Sequence, residues 1–369
     1  MKWVIAGGGT GGHFFPAMAI AETFKEREAG NEVLFIGTEK GIETRILGGG
    51  RFPLRTIQAR PLKGISLWGK IVALRSIVPA VREALAILRD FQPHLVLGVG
   101  GYASGPTLLA ASWLGIPRVI HEQNMIPGMT NQILKAFSQR VFVSFEETKS
   151  YFPGRKTRVT GNPVRKEFLS CLKPRPRGDR FTILVFGGSA GAHRINECVM
   201  EALNFLEALR PSLRFIHQSG GKDLEAVLEG YRNKGFEALV QPFFERMADQ
   251  YQASDLVICR AGASTIAELA SCGKGSILIP YPYAAHQHQL VNARRLVSLG
   301  ACRLIEDKDL KGQGLAQAID HLYRHPEEIG RMEQAIQQLA RPRAAEEIVD
   351  QCYALLGSLQ RVKGERILL

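Results

Sequence analysis

Val4-Ile5-Ala6-Gly7-Gly8-Gly9-Thr10-Gly11-Gly12-His13-Phe14-Phe15-Pro16, read VIAGGGTGGHFFP, sets a short apolar run against a glycine loop and the start of a helical pattern. Gly7, Gly9 and Gly12 satisfy G-x-G-x-x-G, the spacing of a dinucleotide-binding turn. Two features resist that reading. A nicotinamide site has no use for His13 directly behind the last glycine. The following strand, EVLFIGTEKG, offers only Glu39, beyond a glycine and a threonine, where an acid for a ribose is wanted. The loop reads instead as backbone shaped to approach some other anion at a helix start.

The same order recurs from Phe181 in FTILVFGGSAGAHRINECVMEALNFL. Each stretch reads as the first strand–loop–helix of a doubly wound sheet. Short continuous apolar runs, as buried parallel strands require, follow in both halves: EVLFIG, HLVLGVG, RVIHE and RVFVS, then RFIHQSG, DLVICR, GSILIPYP and ACRLI. Helical patterns lie between most of them. The expectation is an α/β chain of two Rossmann-like doubly wound domains with an interdomain cleft, because ligands bind outside the carboxyl ends of such strands. The boundary is placed in TGNPVRKEF, giving residues 1–161 and 162–341. The last helix, 342–369, suits either half by pattern and is expected to pack back on the first.

Composition narrows the class. The chain has 369 residues, 45% apolar and 22% charged, which fits two folded domains. Lys plus Arg exceed Asp plus Glu by 47 − 35 = 12, so the surface should attract polyanions. No nucleic-acid-binding module is recognisable, and nucleic acid is not expected as a partner. The six cysteines show no C-x-x-C pair or histidine-bearing cluster and read as buried thiols. No secretory signal is read at the N-terminus, where a strand and glycines follow Lys2 at once. Phe91 to Pro117 lacks charge and is long enough to span a bilayer, but Pro93, Pro106, Pro117 and its glycines favour a strand, a glycine loop and a helix. Between Arg51 and Arg89, eight Lys/Arg and one Glu interleave with Leu62, Ile65, Leu67, Trp68, Ile71, Val72 and Leu74. That patch reads either as an interfacial anchor for an anionic membrane or as a helix packed on the sheet.

Several motifs carry chemistry. A helix start disfavours imidazolium, and a neutral imidazole such as His13 is a usable general base. His121, Glu122, Gln123 and Asn124 follow a strand end and suit a hydroxyl- or amide-rich ligand, or a solvated turn. Gly187-Gly188-Ser189 could hold a phosphate. CRAGASTIAEL, from Cys259, puts Ser264 or Thr265 at a helix start and Glu268 in the first helical turn, either to complement the dipole or to accept ribose hydroxyls. His288 and Gln289 offer imidazole and amide groups for sugar hydroxyls. Arg165, near the boundary, suits a diphosphate. Asp307-Lys308-Asp309 matches the Asp-x-Asp of metal-dependent sugar transferases, but Asp309 is read as the cap of a helix starting near Leu310. No metal site is expected.

Taken in order, GGTGGHFFPAMAIA, GVGGYASGP, VIHEQNMIPGMTN, VTGNPVR, VFGGSAGAHRIN, CRAGASTIAELASCGKGSILIPYP and HQLVNA resemble the bacterial family of cell-wall N-acetylglucosamine transferases that make lipid II from lipid I. The resemblance spans Lys2 to roughly Tyr353. It implies a GT-B fold, an inverting transfer and no cofactor. UDP-N-acetylglucosamine would be held mainly by the second domain, and lipid I would enter under the first. By motif match, Thr10, Gly11, Gly12, Asn124, Arg165, Ser189, Phe244, Ala263, Ser264, Thr265, Ile266, Ala267, Glu268 and Gln289 would touch the donor. Glu268 would take the ribose, Gln289 the sugar hydroxyls and the Phe244 backbone the uracil, with His13 as base. The implied location is peripheral, on the cytoplasmic face of the inner membrane, with other cell-wall synthesis proteins as candidate partners. Many members carry an acidic residue where this chain has His286. Three rival readings remain: a GT-B transferase for another acceptor, a non-enzymatic membrane protein that binds a sugar nucleotide, and a dehydrogenase.

Overall fold

The computed structural model describes residues 1–367 apart from 40, 48–49, 60–66, 173–177 and 189–190. The chain forms two compact units, Met1–Arg165 with Pro342–Leu369, and Lys166–Arg341. The first unit therefore runs past the expected limit at residue 161. Arg165 belongs to it rather than to the second, and its guanidinium lies 4.7 Å from the centroid of the Phe15 ring.

In the first unit the elements run β1 (Lys2–Ala6), α1 (Gly11–Arg27), β2 (Glu32–Gly37), α2 (Ile42–Leu47), β3 (Leu54–Thr56), α3 (Leu67–Phe91), β4 (Leu95–Gly98), α4 (Ser104–Trp113), β5 (Arg118–Glu122), α5 (Met129–Leu134), β6 (Arg140–Val143) and β7 (Thr157–Val159). All strands pair in parallel, in the order β3-β2-β1-β4-β5-β6-β7. Side chains of β1 alternate between two cores, as strand geometry dictates. Trp3 and Ile5 enter one with Phe14, Ile20 and Phe24 of α1. Val4 and Ala6 enter the other with Ala80, Ala84 and Leu88 of α3 and Leu108 and Ala111 of α4.

The second unit comprises β8 (Phe181–Phe186), α6 (His193–Ala202), β9 (Leu213–Gln218), α7 (Leu224–Lys234), β10 (Glu237–Gln241), α8 (Met247–Gln252), β11 (Leu256–Cys259), α9 (Ala263–Cys272), β12 (Ser276–Leu278), α10 (His288–Ser298), β13 (Arg303–Leu304), α11 (Gly312–Arg324) and α12 (Pro326–Gln337). Its sheet order is β10-β9-β8-β11-β12-β13, again parallel. Both sheets reverse direction of winding at the first strand, between β1 and β4 and between β8 and β11. That is the crevice where doubly wound sheets bind ligands.

The last helix, α13 (Ala344–Ile367), lies on the first unit. Ile348, Val349, Cys352, Leu355 and Leu356 form one apolar stripe and join the core of Trp3 and Phe24. Trp3 stacks on Phe24 at 3.8 Å between ring centroids. The Asn31 amide ties this layer together by donating to the Phe24 carbonyl and the Tyr353 hydroxyl.

Three strands have no counterpart among the expected apolar runs: β3, β7 and β10. All are sheet edges with partly exposed residues, so burial on both faces never imposed the pattern. Phe91 to Pro117 is a helix end, strand β4, a glycine turn and helix α4. Among the described residues, no helix is long and apolar enough to cross a membrane. All six cysteines are buried thiols.

Candidate active site

The first glycine loop is built by close backbone approach. A Cβ placed on Gly7 (φ +129°) would lie 2.1 Å from the Gly100 carbonyl oxygen. The Gly8 N–H donates to that same oxygen at 3.3 Å. Loops β1–α1 and β4–α4 thus meet at the switch point, and glycine is required for their contact before any ligand is considered. A second device is a carboxylate the sequence did not single out. Glu43, 1% exposed, accepts the Gly9 N–H at 2.7 Å and the Thr38 N–H at 2.9 Å. A protein carboxylate therefore occupies the Gly9 amide that a diphosphate would seek. An acid in the first turn of so short a helix as α2 looks like an ordinary dipole partner, which hid it. Glu43→Ala strands two amide donors, each costing about 1–3 kcal/mol. A fall of roughly 2–6 kcal/mol in unfolding free energy by urea titration is expected, and a change below about 0.5 kcal/mol would show that water replaces the carboxylate.

Thr10 caps α1 in extended backbone without a side-chain cap bond, and Gly11 and Gly12 open the helix. His13, partly exposed, stands on the first turn. Its ring needs Gly100, since a Cβ there would sit 3.0 Å from the imidazole Cε1. The His13 Nδ1 lies 2.9 Å from Gln123 Oε1. Arg165 lies over the ring of Phe15, two residues further along α1.

The His121–Asn124 cluster is not the ligand-facing polar turn that its composition suggested. His121, Glu122 and Gln123 are buried. Glu122 accepts from the N–H groups of Asn124 and Gly128 and from the Asn131 amide, at 2.9–3.1 Å. Burial pushes its carboxyl above the ordinary value, and those three donors oppose the rise. Glu122 thereby folds the chain so that Asn124 alone of the four is partly exposed.

In the second unit, Gln218 at the end of β9 organises the glycine loop. Its Nε2 donates to the Gly188 carbonyl at 2.9 Å and its Oε1 accepts the Phe244 N–H at 2.9 Å. The Phe244 amide is thus committed internally. Ser189 lies outside the described residues. Helix α9 starts at Ala263 behind Gly262, so its positive end rests at the carboxyl end of β11. Ser264, Thr265, Ile266 and Ala267 follow on it. Glu268 is the sixth residue of α9, in its second turn rather than its first, too deep to act as the dipole's first-turn partner. Its Oε2 accepts the Tyr251 hydroxyl at 3.3 Å. Gln289 is the second residue of α10, and its Oε1 accepts the Tyr281 N–H at 2.9 Å. His286 and Gln287, both at φ +52°, lead into that helix. Consecutive left-handed residues other than glycine store strain of the kind found at binding loops.

The Asp-x-Asp pair resolves differently from the expected cap. Asp307 to Asp309 form their own short turn, and Lys311 is the residue before α11. Asp307 takes the Arg260 guanidinium at 2.6 Å, while that guanidinium also donates to the Ile279 and Pro280 carbonyls. Arg260 needs a counter-charge because it is buried, and Asp307 supplies it.

Two parallel-sheet units of one winding order, each with a glycine loop and a helix start at its switch point, form the GT-B architecture, and the family matches make the chain a glycosyltransferase of that class. The chain matches the glycosyltransferase family 28 N-terminal domain over residues 3–143 and the family 28 C-terminal domain over residues 182–348. It is 49% identical to the UDP-N-acetylglucosamine–N-acetylmuramyl-(pentapeptide) pyrophosphoryl-undecaprenol N-acetylglucosamine transferase of Citrifermentans bemidjiense, covering 95% of this chain and 98% of that one. The Myxococcus xanthus protein of the same name is 46% identical over 96% and 93%. The crystal structure of Acinetobacter baumannii MurG superposes with a TM-score of 0.74 at 32% identity, covering 95% and 99%. The chain belongs to glycosyltransferase family 28, and within it to the family of these N-acetylglucosamine transferases.

Proposed function

We propose that the protein transfers N-acetylglucosamine from UDP-N-acetylglucosamine to the muramoyl C4 hydroxyl of lipid I, forming the β-1,4 link of lipid II in peptidoglycan synthesis. The observation that carries this reading is the end-to-end match to transferases named for that reaction, with both family 28 domains present. The second unit takes the donor. Glu268 accepts ribose hydroxyls, Gln289 turns its amide to the sugar, and the Phe244 carbonyl reads the uracil. Ser189 and the start of α9, Ala263 to Ala267, face the diphosphate.

The first unit takes the acceptor and does the proton chemistry. The acceptor hydroxyl oxygen attacks the anomeric carbon as the bond to the diphosphate oxygen breaks. UDP leaves with the electron pair, and the hydroxyl proton passes to His13. Charge on the leaving diphosphate is met by Arg165 and by the backbone of Thr10, Gly11 and Gly12 at the start of α1. Asn124 orients the sugar from the same unit. Asp307 is committed to Arg260, so the Asp-x-Asp pair is not assigned to a metal, and the reaction is proposed to need no cofactor. Incubation with UDP-N-acetylglucosamine and a short-chain lipid I analogue, with chelator and no added metal, is expected to give a β-linked disaccharide product. Product only from other acceptors, or only with a divalent metal, would overturn the assignment.

Lipid I is membrane-bound, which supports a peripheral location, and the cytoplasmic face is proposed as the side. Lys63 lies outside the described residues, as do the side chains of Trp68, Lys70 and Arg75. Beyond that stretch, Trp113 of α4 is 81% exposed, and Met129, Ile133 and Phe137 are exposed at helical spacing on and after α5. Such exposed apolar side chains, in a chain of net charge +12, suit an anionic bilayer. Replacing Trp113, Ile133 and Phe137 together by serine is expected to lower binding to anionic vesicles about tenfold or more. Unchanged sedimentation with vesicles would remove this face as the membrane contact.

A further inference from the structure

We infer that Gln123 and His121 are positioning residues that fix His13 in one tautomer, with the proton on Nδ1 and the bare lone pair on Nε2. The inference rests on His13 being the base, as proposed above. It assigns which ring nitrogen does the work and what makes that nitrogen available.

The chain of hydrogen bonds has only one consistent polarity. Gln123 is 1% exposed, and its amide meets the Val99 carbonyl, the His121 Nδ1 and carbonyl, and His13 Nδ1. Its Nε2 lies 3.0 Å from the Val99 carbonyl oxygen and 3.1 Å from His121 Nδ1. The Val99 oxygen can only accept, so the amide NH2 must point to it; the flipped amide would set two oxygens against each other. Orientation by the carbonyl leaves Gln123 Oε1 facing His13 Nδ1 at 2.9 Å. An amide oxygen only accepts, so His13 Nδ1 must carry the hydrogen. A neutral imidazole then has its lone pair on Nε2.

His121 locks the other end. Its Nδ1 receives the second Gln123 N–H, so its own proton sits on Nε2 and is donated to the Gly161 carbonyl at 3.2 Å. Full burial pushes the His121 pKa down to about 4, so it does not take the second proton that would turn Nδ1 into a donor against the amide. Glu122 does not compete for His13, since the backbone N–H groups of Asn124 and Gly128 and the amide of Asn131 engage its two oxygens. The relay ends on the backbone of Gly161, just ahead of Arg165 in VTGNPVR. A histidine side chain left in water favours the opposite tautomer, with its proton on Nε2. The protein must therefore impose this one, and a buried amide held at two further points can do so.

The test reads the tautomer directly. In the full-length, nitrogen-15-labelled protein, long-range proton–nitrogen correlation above the imidazole titration range should place His13 Nδ1 in the protonated region and Nε2 in the unprotonated one. The signals are assigned by their loss in His13→Gln. Gln123→Met removes the acceptor at similar volume. It is expected to shift His13 toward the Nε2–H form and to lower kcat about tenfold, with donor KM changed less than about twofold. A wild-type His13 protonated on Nε2, or a Gln123→Met protein with tautomer and kcat unchanged, would overturn the relay. The wild-type spectrum answers even if the variants fold poorly. A wild-type protein with the Nδ1–H form but no sugar transfer would count against the proposed function while supporting the relay.

Discussion

His13→Ala is expected to lower kcat by about a hundredfold or more, with little change in UDP-N-acetylglucosamine binding. The size follows from what the side chain is asked to do. A general base contributes about 10²–10⁴ to a proton-coupled displacement, and the neighbouring His121 and Glu122 are engaged elsewhere. Two observations narrow the alternatives. Glu122 is buried and engaged by the N–H groups of Asn124 and Gly128 and by the Asn131 amide. His121 is fully buried and spends its ring nitrogens on Gln123 and Gly161. His13 is the partly exposed member of the group, set on the first turn of α1. Donor affinity should persist because the proposed ribose and uracil contacts lie in the other unit. Steady-state kinetics against both substrates, with UDP binding by calorimetry, decides it. A loss in kcat below about threefold would dismiss His13 as the base.

Glu268→Ala should have the complementary signature: donor KM raised roughly a hundredfold, kcat altered far less. Hydrogen bonds to a charged acceptor contribute about 1.5–3 kcal/mol each. Two lost ribose hydroxyl contacts, at the lower figure, therefore amount to about two orders of magnitude in binding. The carboxylate is held for this by Tyr251, whose hydroxyl donates to Oε2. Tyr251 is fully buried, and burial raises its pKa well above the ordinary phenol value, so it remains a donor. Its ring is fixed by edge contacts with Phe168 and Phe186 at 5.6 and 5.7 Å. Glu268→Gln, still an acceptor but uncharged, should fall between. An unchanged donor KM in Glu268→Ala would place the ribose elsewhere.

The two variants separate the rival readings. A protein that only binds a sugar nucleotide would show the Glu268 effect and have no turnover for His13 to control. A dehydrogenase would show neither with UDP-N-acetylglucosamine. The near-full-length identity to the named transferases already stands against a different acceptor class.

Much of this site could be read before folding because chemistry and local pattern coincide. The loops after β1 and β8 and the start of α9 each lie within a few residues of an apolar strand, so strand, turn and helix start are visible together. Where pattern and burial part company, sequence reading failed. Strands β3, β7 and β10 escaped it because edge strands need not be apolar on both faces. Asp309 looked like a helix cap because a polar residue before a helical pattern usually is one. Only the position of Arg260 shows that Asp307 answers a buried guanidinium. Glu268 looked like a first-turn acid because α9 seemed to start at Ser264 or Thr265. Gly262, in extended backbone, moves the start back to Ala263.

The amino-acid sequence by itself determined two doubly wound α/β halves, the glycine loops at their switch points and the family. Periodicity and turn chemistry are local properties, and seven ordered motifs leave little freedom in family. The tertiary structure alone decided which polar groups are spoken for. Glu43 fills the amide of the first glycine loop, Gln218 takes the Phe244 N–H, and Gln123 turns one nitrogen of His13 inward. Each of these is a contact across 26 to 110 residues of chain. A buried polar group must find a partner wherever the fold brings one. That requirement acts through space, so no reading along the chain could have assigned the partners.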